Sequence, residues 1–327
     1  MRVLLLSLDS KGIGGIQTYL KNYEEGLLKI NPNTIIEKII INKKTINLFI
    51  LFKIFLESLK SKSILVTHVS ILNIFFLIFF KKKTVVFFYG IDIFSLRSLF
   101  VKLILKNIFF YKYITCSNFT KNFSIQKLGL PHHNIDVVYP YSRFEFENVP
   151  QKLTKSSSKK IRILSVCRLE GKITSGIWLM LNAIEKLNSQ NIYFDIVGEG
   201  KDKFNISNFV RDKNLQNIFF HGFQEDLTPF YSQSNITTAI TDNAGFGISV
   251  LDSIFFNIPC IISKSSASYE IFQNCDYPFT IKNENDLDGL VKLLNKLNKI
   301  NLDYEFYDEI YLKRFSYKKF ISSINKL

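Results

Sequence analysis

Short apolar runs alternate with stretches of helical periodicity along almost the whole chain. In the first half, Arg2–Ser7, Ile35–Ile41, Ile64–His68 and the run from Val85 to Tyr89 have the length of buried strands. Between them, the stretch from Gly14 to about Lys29, the stretch Leu48–Leu59 and the stretch Phe94–Tyr111 space their apolar residues as helices do. The second half repeats the theme. Ile161–Val166, Tyr193–Val197, Ile218–Phe220, Ile236–Ile240 and Cys260–Ile262 are strand-like, and helices are predicted from Ile248 to about Phe256, over 286–298, and once or twice in 304–327. Strands alternating with helices predict parallel sheets with crossover helices. The polar, low-complexity Thr154-Lys-Ser-Ser-Ser-Lys-Lys160 between the halves has the composition of a linker.

Composition narrows the picture. A chain of 327 residues, 47% hydrophobic and 21% charged, accommodates two globular domains. Its net charge of +14 suits nucleic acid, an anionic membrane or phosphorylated ligands. The basic residues are scattered and form no nucleic-acid-binding motif, which argues against nucleic acid. The helical stretches at Leu48–Leu59, with Lys53 and Lys60, and at Phe94–Tyr111, with Arg97, Lys102 and Lys106, have the make-up of basic amphipathic helices. Such helices either lie on an anionic membrane or face a core with a solvated charged side. The longest apolar runs, 69–80 and 104–113, fall short of a membrane span. Met1–Leu8 is too short for a signal peptide and is expected to be the first strand. The four cysteines lack metal-ligand spacing, so no metal is expected and a reducing cytoplasm is the simplest setting.

The candidate chemistry lies at strand ends. Lys11-Gly-Ile-Gly-Gly-Ile16 follows the first strand and opens a helix, and Gly245-Phe-Gly247 does the same before Ile248. Glycines there let backbone approach an anion that the helix N-terminus can hold. The order of motifs is more specific than any one of them. Asp195-Ile-Val-Gly-Glu-Gly200, Ile218-Phe-Phe-His-Gly222, Tyr231–Ile236, Gly245-Phe-Gly-Ile-Ser-Val-Leu-Asp252, Asn257-Ile-Pro-Cys-Ile261 and Glu270-Ile271 follow one another. That series resembles the C-terminal domain of the retaining glycosyltransferases of family four, and signatures in the first half extend the resemblance over nearly the whole chain.

The resemblance implies a GT-B fold: two Rossmann-like, doubly wound parallel-sheet domains facing across a cleft. It places an acceptor-side domain at 1–153, with 313–327 packing back on it, and a nucleotide-sugar domain at 154–312. It implies transfer of a sugar from a nucleoside-diphosphate donor, of UDP or GDP type, to a glycan or undecaprenyl-linked acceptor of a bacterial surface polysaccharide. The reaction would be cytoplasmic or on the inner leaflet, with no metal. Gly14, Gly15, Gly198, Gly245, Phe246, Gly247, Ile248, Asp252 and Glu270 then line the donor, with Asp252 on the ribose. Arg168 and Lys172 face the leaving diphosphate, and Tyr89, where relatives have His, contacts the sugar. Three positions depart from the family pattern: Tyr89 for His, Ser175 for a lysine, and Ala244 for the glutamate before the Gly-Phe-Gly turn. Together they define an alternative, a catalytically impaired GT-B protein that binds a glycan or partner. A dinucleotide oxidoreductase fits less well, because Gly12-Ile-Gly-Gly15 lacks the full Gly-x-Gly-x-x-Gly spacing.

Overall fold

A computed structural model describes residues 1–8, 14–42, 46–94, 96, 98–108, 110–145, 160–242, 245–273, 275–297 and 307–326. The chain divides into two compact units, Met1–Pro140 with Lys318–Leu327, and Tyr141–Tyr317. The division falls at Pro140, ahead of the expected 153, because residues 141–145 bond to partners in the second unit, as described below. The linker expected at 154–160 lies, apart from Lys160, outside the described residues.

The first unit runs β1 (Arg2–Leu8), α1 (Gly15–Ile30), β2 (Ile35–Ile41), α2 (Leu48–Lys60), β3 (Ser63–Val66), β4 (Thr84–Phe88), α3 (Ile91–Phe94), α4 (Leu99–Asn107), β5 (Lys112–Thr115), α5 (Asn118–Leu128) and β6 (Ile135–Val137). Its strands form a parallel sheet in the order β2-β1-β3-β4-β5-β6. Alternate strand residues point to opposite faces. On one face Leu4, Leu6, Ile64, Val66, Val86 and Phe88 share a core with Ile54 of α2 and Val101, Ile104 and Leu105 of α4. On the other, Tyr23 of α1 meets Phe87 edge-on at 4.9 Å.

Of the helix expected over 94–111 the structure forms only α4, which starts at Leu99 and ends at Asn107, while α3 ends at Phe94. Ser98 adopts an extended conformation and its hydroxyl accepts from Val101 N at 3.2 Å, so a new helix is capped where periodicity alone would continue the old one. The cap on α5 is Ser117, whose hydroxyl accepts from Thr120 N.

The second unit runs β7 (Ile161–Val166), α6 (Ser175–Leu187), β8 (Ile192–Val197), α7 (Lys203–Asp212), β9 (Ile218–Gly222), α8 (Thr228–Gln233), β10 (Ile236–Thr238), α9 (Ile248–Phe255), β11 (Cys260–Ser263), β12 (Thr280–Ile281) and α10 (Leu287–Lys296). Its parallel sheet has the order β12-β11-β10-β7-β8-β9. Both sheets are doubly wound, since the strand order reverses beside the first strand of each; ligands of such sheets bind at the carboxyl ends of the strands near that reversal. The final helix, α11 (Tyr317–Asn325), returns to the first unit, where Phe320 meets Tyr19 and Tyr23 edge-on. Gly26 of α1 permits this approach: a Cβ there would lie 2.8 Å from Ile324 Cδ1. Among the described residues no helix is long and apolar enough to cross a membrane.

Candidate functional site

In the second unit the site is built on the loop that follows β7. Cys167 N donates to Val197 O and Leu169 N to Glu199 O, while Asp202 N returns to Leu169 O. The Asp202 carboxylate accepts from Gly171 N at 2.6 Å and from Thr174 Oγ1 at 3.2 Å. The loop is therefore pinned at both ends. Gly198 makes the pinning possible: at φ +143°, a Cβ there would lie 1.8 Å from Cys167 O. Its visible part is thus to seat backbone against backbone beneath the loop. Arg168 and Lys172 stand on this loop with exposed side chains. Among the described residues neither side chain has a hydrogen bond or ion pair. Two uncommitted cations on a rigid loop suit a polyanion.

Ser175, where the resemblance sets a lysine, has its hydroxyl on Glu284 Oε2 at 2.7 Å, and the same oxygen accepts from Asp242 N at 3.0 Å. Asp242 Oδ1 in turn accepts from Ser263 and Ser265. Ala244 and Asn243 lie outside the described residues.

Gly247 begins α9 at φ +97°, a left-handed conformation that strains any other residue, and a Cβ there would also press on Ser268 Oγ at 2.7 Å. As a glycine, the N-cap Gly247 has no side chain with which to cap the helix. Gly245 precedes it. Phe246 is buried against Phe315, and Ile248 is buried too. Glu270 is buried in a short 3₁₀ turn (267–271), where its carbonyl and that of Ile271 accept from Arg314.

Asp252 is fully buried, at 0% exposure. Its Oδ1 accepts from Ser142 Oγ at 2.8 Å and Arg143 N at 3.1 Å, and its Oδ2 from Arg143 Nε at 2.7 Å. Burial raises its pKa and Arg143 opposes the rise. In this structure the carboxylate assigned to ribose is thus occupied by the chain's own Ser142-Arg143. The network continues: Ser142 N donates to Tyr311 Oη, Tyr311 Oη to Glu145, and Tyr317 N to Glu145 Oε1. Sequence reasoning missed Ser142, Arg143 and Glu284. No spacing marks a partner more than a hundred residues away from Asp252.

The first unit holds the remaining candidates. Gly14 is the extended N-cap of α1, with its carbonyl accepting from Thr18, and Gly15 is exposed as the first helical residue. Tyr89 follows β4 with its ring edge-on to Tyr19 at 5.7 Å. Its hydroxyl is buried without a hydrogen-bond partner among the described residues, and burial raises its pKa well above the usual phenol value. Asp92 Oδ1 accepts from Tyr89 N at 3.0 Å, while its Oδ2 is buried and unpartnered. His68 caps a 3₁₀ turn (69–73), its Nδ1 accepting from Ser70 N at 3.1 Å.

Burial pushes the Asp92 carboxyl from an ordinary 3.8 up to about 7. Between these values the folded chain holds a proton that the unfolded chain releases, so stability falls as pH rises through that window and levels off above about 7. Asp92→Asn keeps the acceptor for Tyr89 N and removes the ionisation. It is expected to raise Tm by several degrees at pH 8 and to leave it nearly unchanged near pH 4, an effect of on the order of 2–4 kcal/mol. A thermal melt series over that range decides it; equal Tm changes at both pH values would refute it.

The two doubly wound sheets and the fold of the whole chain define a GT-B protein. Over nearly its full length the chain superposes on a lipopolysaccharide outer core galactosyltransferase, WaaB, with TM-score 0.73 and 16% identity, covering 100% of this chain and 98% of that one. It likewise superposes on Anabaena HepE, solved with UDP and glucose, with TM-score 0.78 and 13% identity, covering 98% of both chains. Residues 146–312, just over half of the chain, match the glycosyl transferases group 1 family, and the chain belongs to that family. An Escherichia coli O-antigen biosynthesis glycosyltransferase, WclY, is 30% identical over 145 residues, 44% of this chain and 40% of that protein. The match thus spans well under half of the curated relative's length.

Proposed function

We propose that this protein is a glycosyltransferase. It moves a sugar from a nucleoside-diphosphate donor, of UDP or GDP type, to a glycan acceptor, with retention at the anomeric carbon and without a metal. The observation that carries the proposal is the pair of uncommitted cations, Arg168 and Lys172, on the pinned loop at the carboxyl end of β7. Departure of a nucleoside diphosphate builds negative charge on its phosphate oxygens, and a fixed guanidinium fork beside that charge lowers the barrier. The backbone N–H groups of the first turn of α9, which starts after Gly247, add positive potential. No side chain of the second unit's site is placed as a nucleophile. In our reading the leaving phosphate itself takes the proton of the incoming hydroxyl, and the new bond forms on the face the diphosphate leaves.

The name of the Escherichia coli relative supports a surface-polysaccharide acceptor, and the UDP in HepE supports the donor class. A lipid-linked, undecaprenyl-type acceptor on the cytoplasmic leaflet completes the reading.

The impaired-protein alternative draws on one geometric fact. Asp252, the carboxylate left for ribose, is held by Arg143. Calorimetric titration with UDP, GDP and their common sugar conjugates separates the two. Micromolar binding of one nucleotide, followed by transfer from its sugar conjugate, supports the transferase. A folded chain that binds none of them rejects it.

A further inference from the structure

The outer side of α2 is built the wrong way round for a helix that faces water. Its inward positions, Ile54, Glu57 and Ser58, include one glutamate and one serine. Its outward positions carry Leu48 at 82% exposure, Phe49 at 76% and Phe52 at 58%, together with the exposed Phe55, Leu56 and Leu59. Ile46, just before the helix, is exposed as well. The patch continues onto the neighbouring turn: Phe80 meets Phe55 at 5.9 Å, and Phe79 beside it is 79% exposed. Exposed apolar residues scattered singly are ordinary, but a contiguous stripe of this kind marks a surface that binds something.

The charges around the stripe state what. Between Ile46 and Lys83 there are six lysines and one acidic residue, Glu57. Glu57 is turned inward, onto Arg2 at 2.5 Å and Lys60 at 2.9 Å. Lys53 pairs with Glu37 of β2 at 3.3 Å. Lys83 donates to Ser58 O and Ser61 O, which fastens the Lys81-Lys82-Lys83 run to the carboxyl end of α2. Lys81 and Lys82 are exposed and have no ion pair among the described residues. The face therefore presents aromatic and aliphatic side chains with a basic fringe and no outward acid on the helix.

We propose that the outer face of α2, with Phe79, Lys81 and Lys82, is a membrane-docking surface that lies in the headgroup region of an anionic bilayer. A helix of 13 residues is about 20 Å long, enough to lie in the interface and too short to cross it. Its phenylalanines and leucines enter the acyl boundary while the lysine fringe meets lipid phosphates. A second copy of the chain fits the same surface less well, because a two-fold contact sets each patch against itself and brings lysine fringe onto lysine fringe. The inference concerns the first unit alone and does not depend on the donor chemistry of the second.

The test is flotation of the full chain with phosphatidylcholine vesicles and with equimolar phosphatidylcholine–phosphatidylglycerol vesicles, at low and high salt. The chain is expected to float with the anionic vesicles at low salt. Phe49→Ser combined with Phe52→Ser, both at exposed positions, is expected to lower partition at least tenfold. Lys81→Ala combined with Lys82→Ala should lower it by about fivefold per lysine at low salt and flatten the salt dependence. A wild-type chain that stays with the soluble fraction, or a phenylalanine variant that floats as well as wild type, overturns the proposal. So does a concentration-dependent dimer, seen by light scattering, that the phenylalanine substitutions abolish. UDP titration of the same samples reads the donor site separately, so loss of flotation with intact nucleotide binding, or the reverse, shows which reading has failed.

Discussion

Arg143→Ala is expected to destabilise the second unit by about 3–5 kcal/mol, because it leaves a fully buried carboxylate with its charge uncompensated. Asp252 lies in α9 among apolar side chains, and among the described residues its cationic hydrogen bond comes from Arg143 Nε. The converse change is milder. Asp252→Ala leaves Arg143, whose side chain is 32% exposed, able to reach water. The double variant should recover part of the loss of Arg143→Ala, since removing both partners removes the stranded charge. The single tryptophan, Trp178 of α6, sits in this unit and packs on Phe209 at 5.5 Å, so its fluorescence follows urea unfolding of that unit. An unchanged midpoint for Arg143→Ala would show that the pair does not hold the unit together.

Arg168→Ala is expected to weaken binding of the cognate nucleoside diphosphate by roughly ten- to a hundredfold, the size of one or two charge-assisted hydrogen bonds. It should lower kcat for transfer by about 10²–10³, because its charge matters most as the diphosphate leaves. Arg168→Lys should restore only part of either effect, since a point charge does not reproduce the guanidinium fork. Stability should not move, because the side chain is exposed and makes no ion pair among the described residues. Binding must also weaken as salt rises. Calorimetry on the three proteins, with a thermal melt as control, reads all of this; unchanged affinity in Arg168→Ala would remove the loop after β7 from the site.

Much of the fold was legible because it is written in local periodicity. Apolar strand runs such as Val3–Leu6 and Val85–Phe88 are buried on both faces, as parallel strands must be. The glycine turns were legible too, and Gly247 shows why: its left-handed backbone excludes other residues. The start of α4 at Leu99 was not, since helical spacing runs through that point and the cap at Ser98 is set by its extended backbone. At Gly198 the structure adds a reason for glycine that the sequence does not show. A glycine at a strand end suggests a ligand, and here it also lets the carbonyl of Cys167 approach closely.

By itself the sequence determined the alternation of strands and helices, the doubly wound class and the positions of Arg168 and Lys172, since each depends on residues near one another in the chain. Tertiary structure alone decided the partners. Asp252 meets Ser142 and Arg143 across more than a hundred residues, and Ser175 meets Glu284 across a similar gap. It also decided which amphipathic helix turns its apolar side outward. Periodicity shows that α2 has two faces, but only the sheet beneath it, taking Ile54 and Glu57 inward, leaves Phe49 and Phe52 in solvent. A carboxylate's role depends on what lies opposite it, and that is fixed only when distant segments pack.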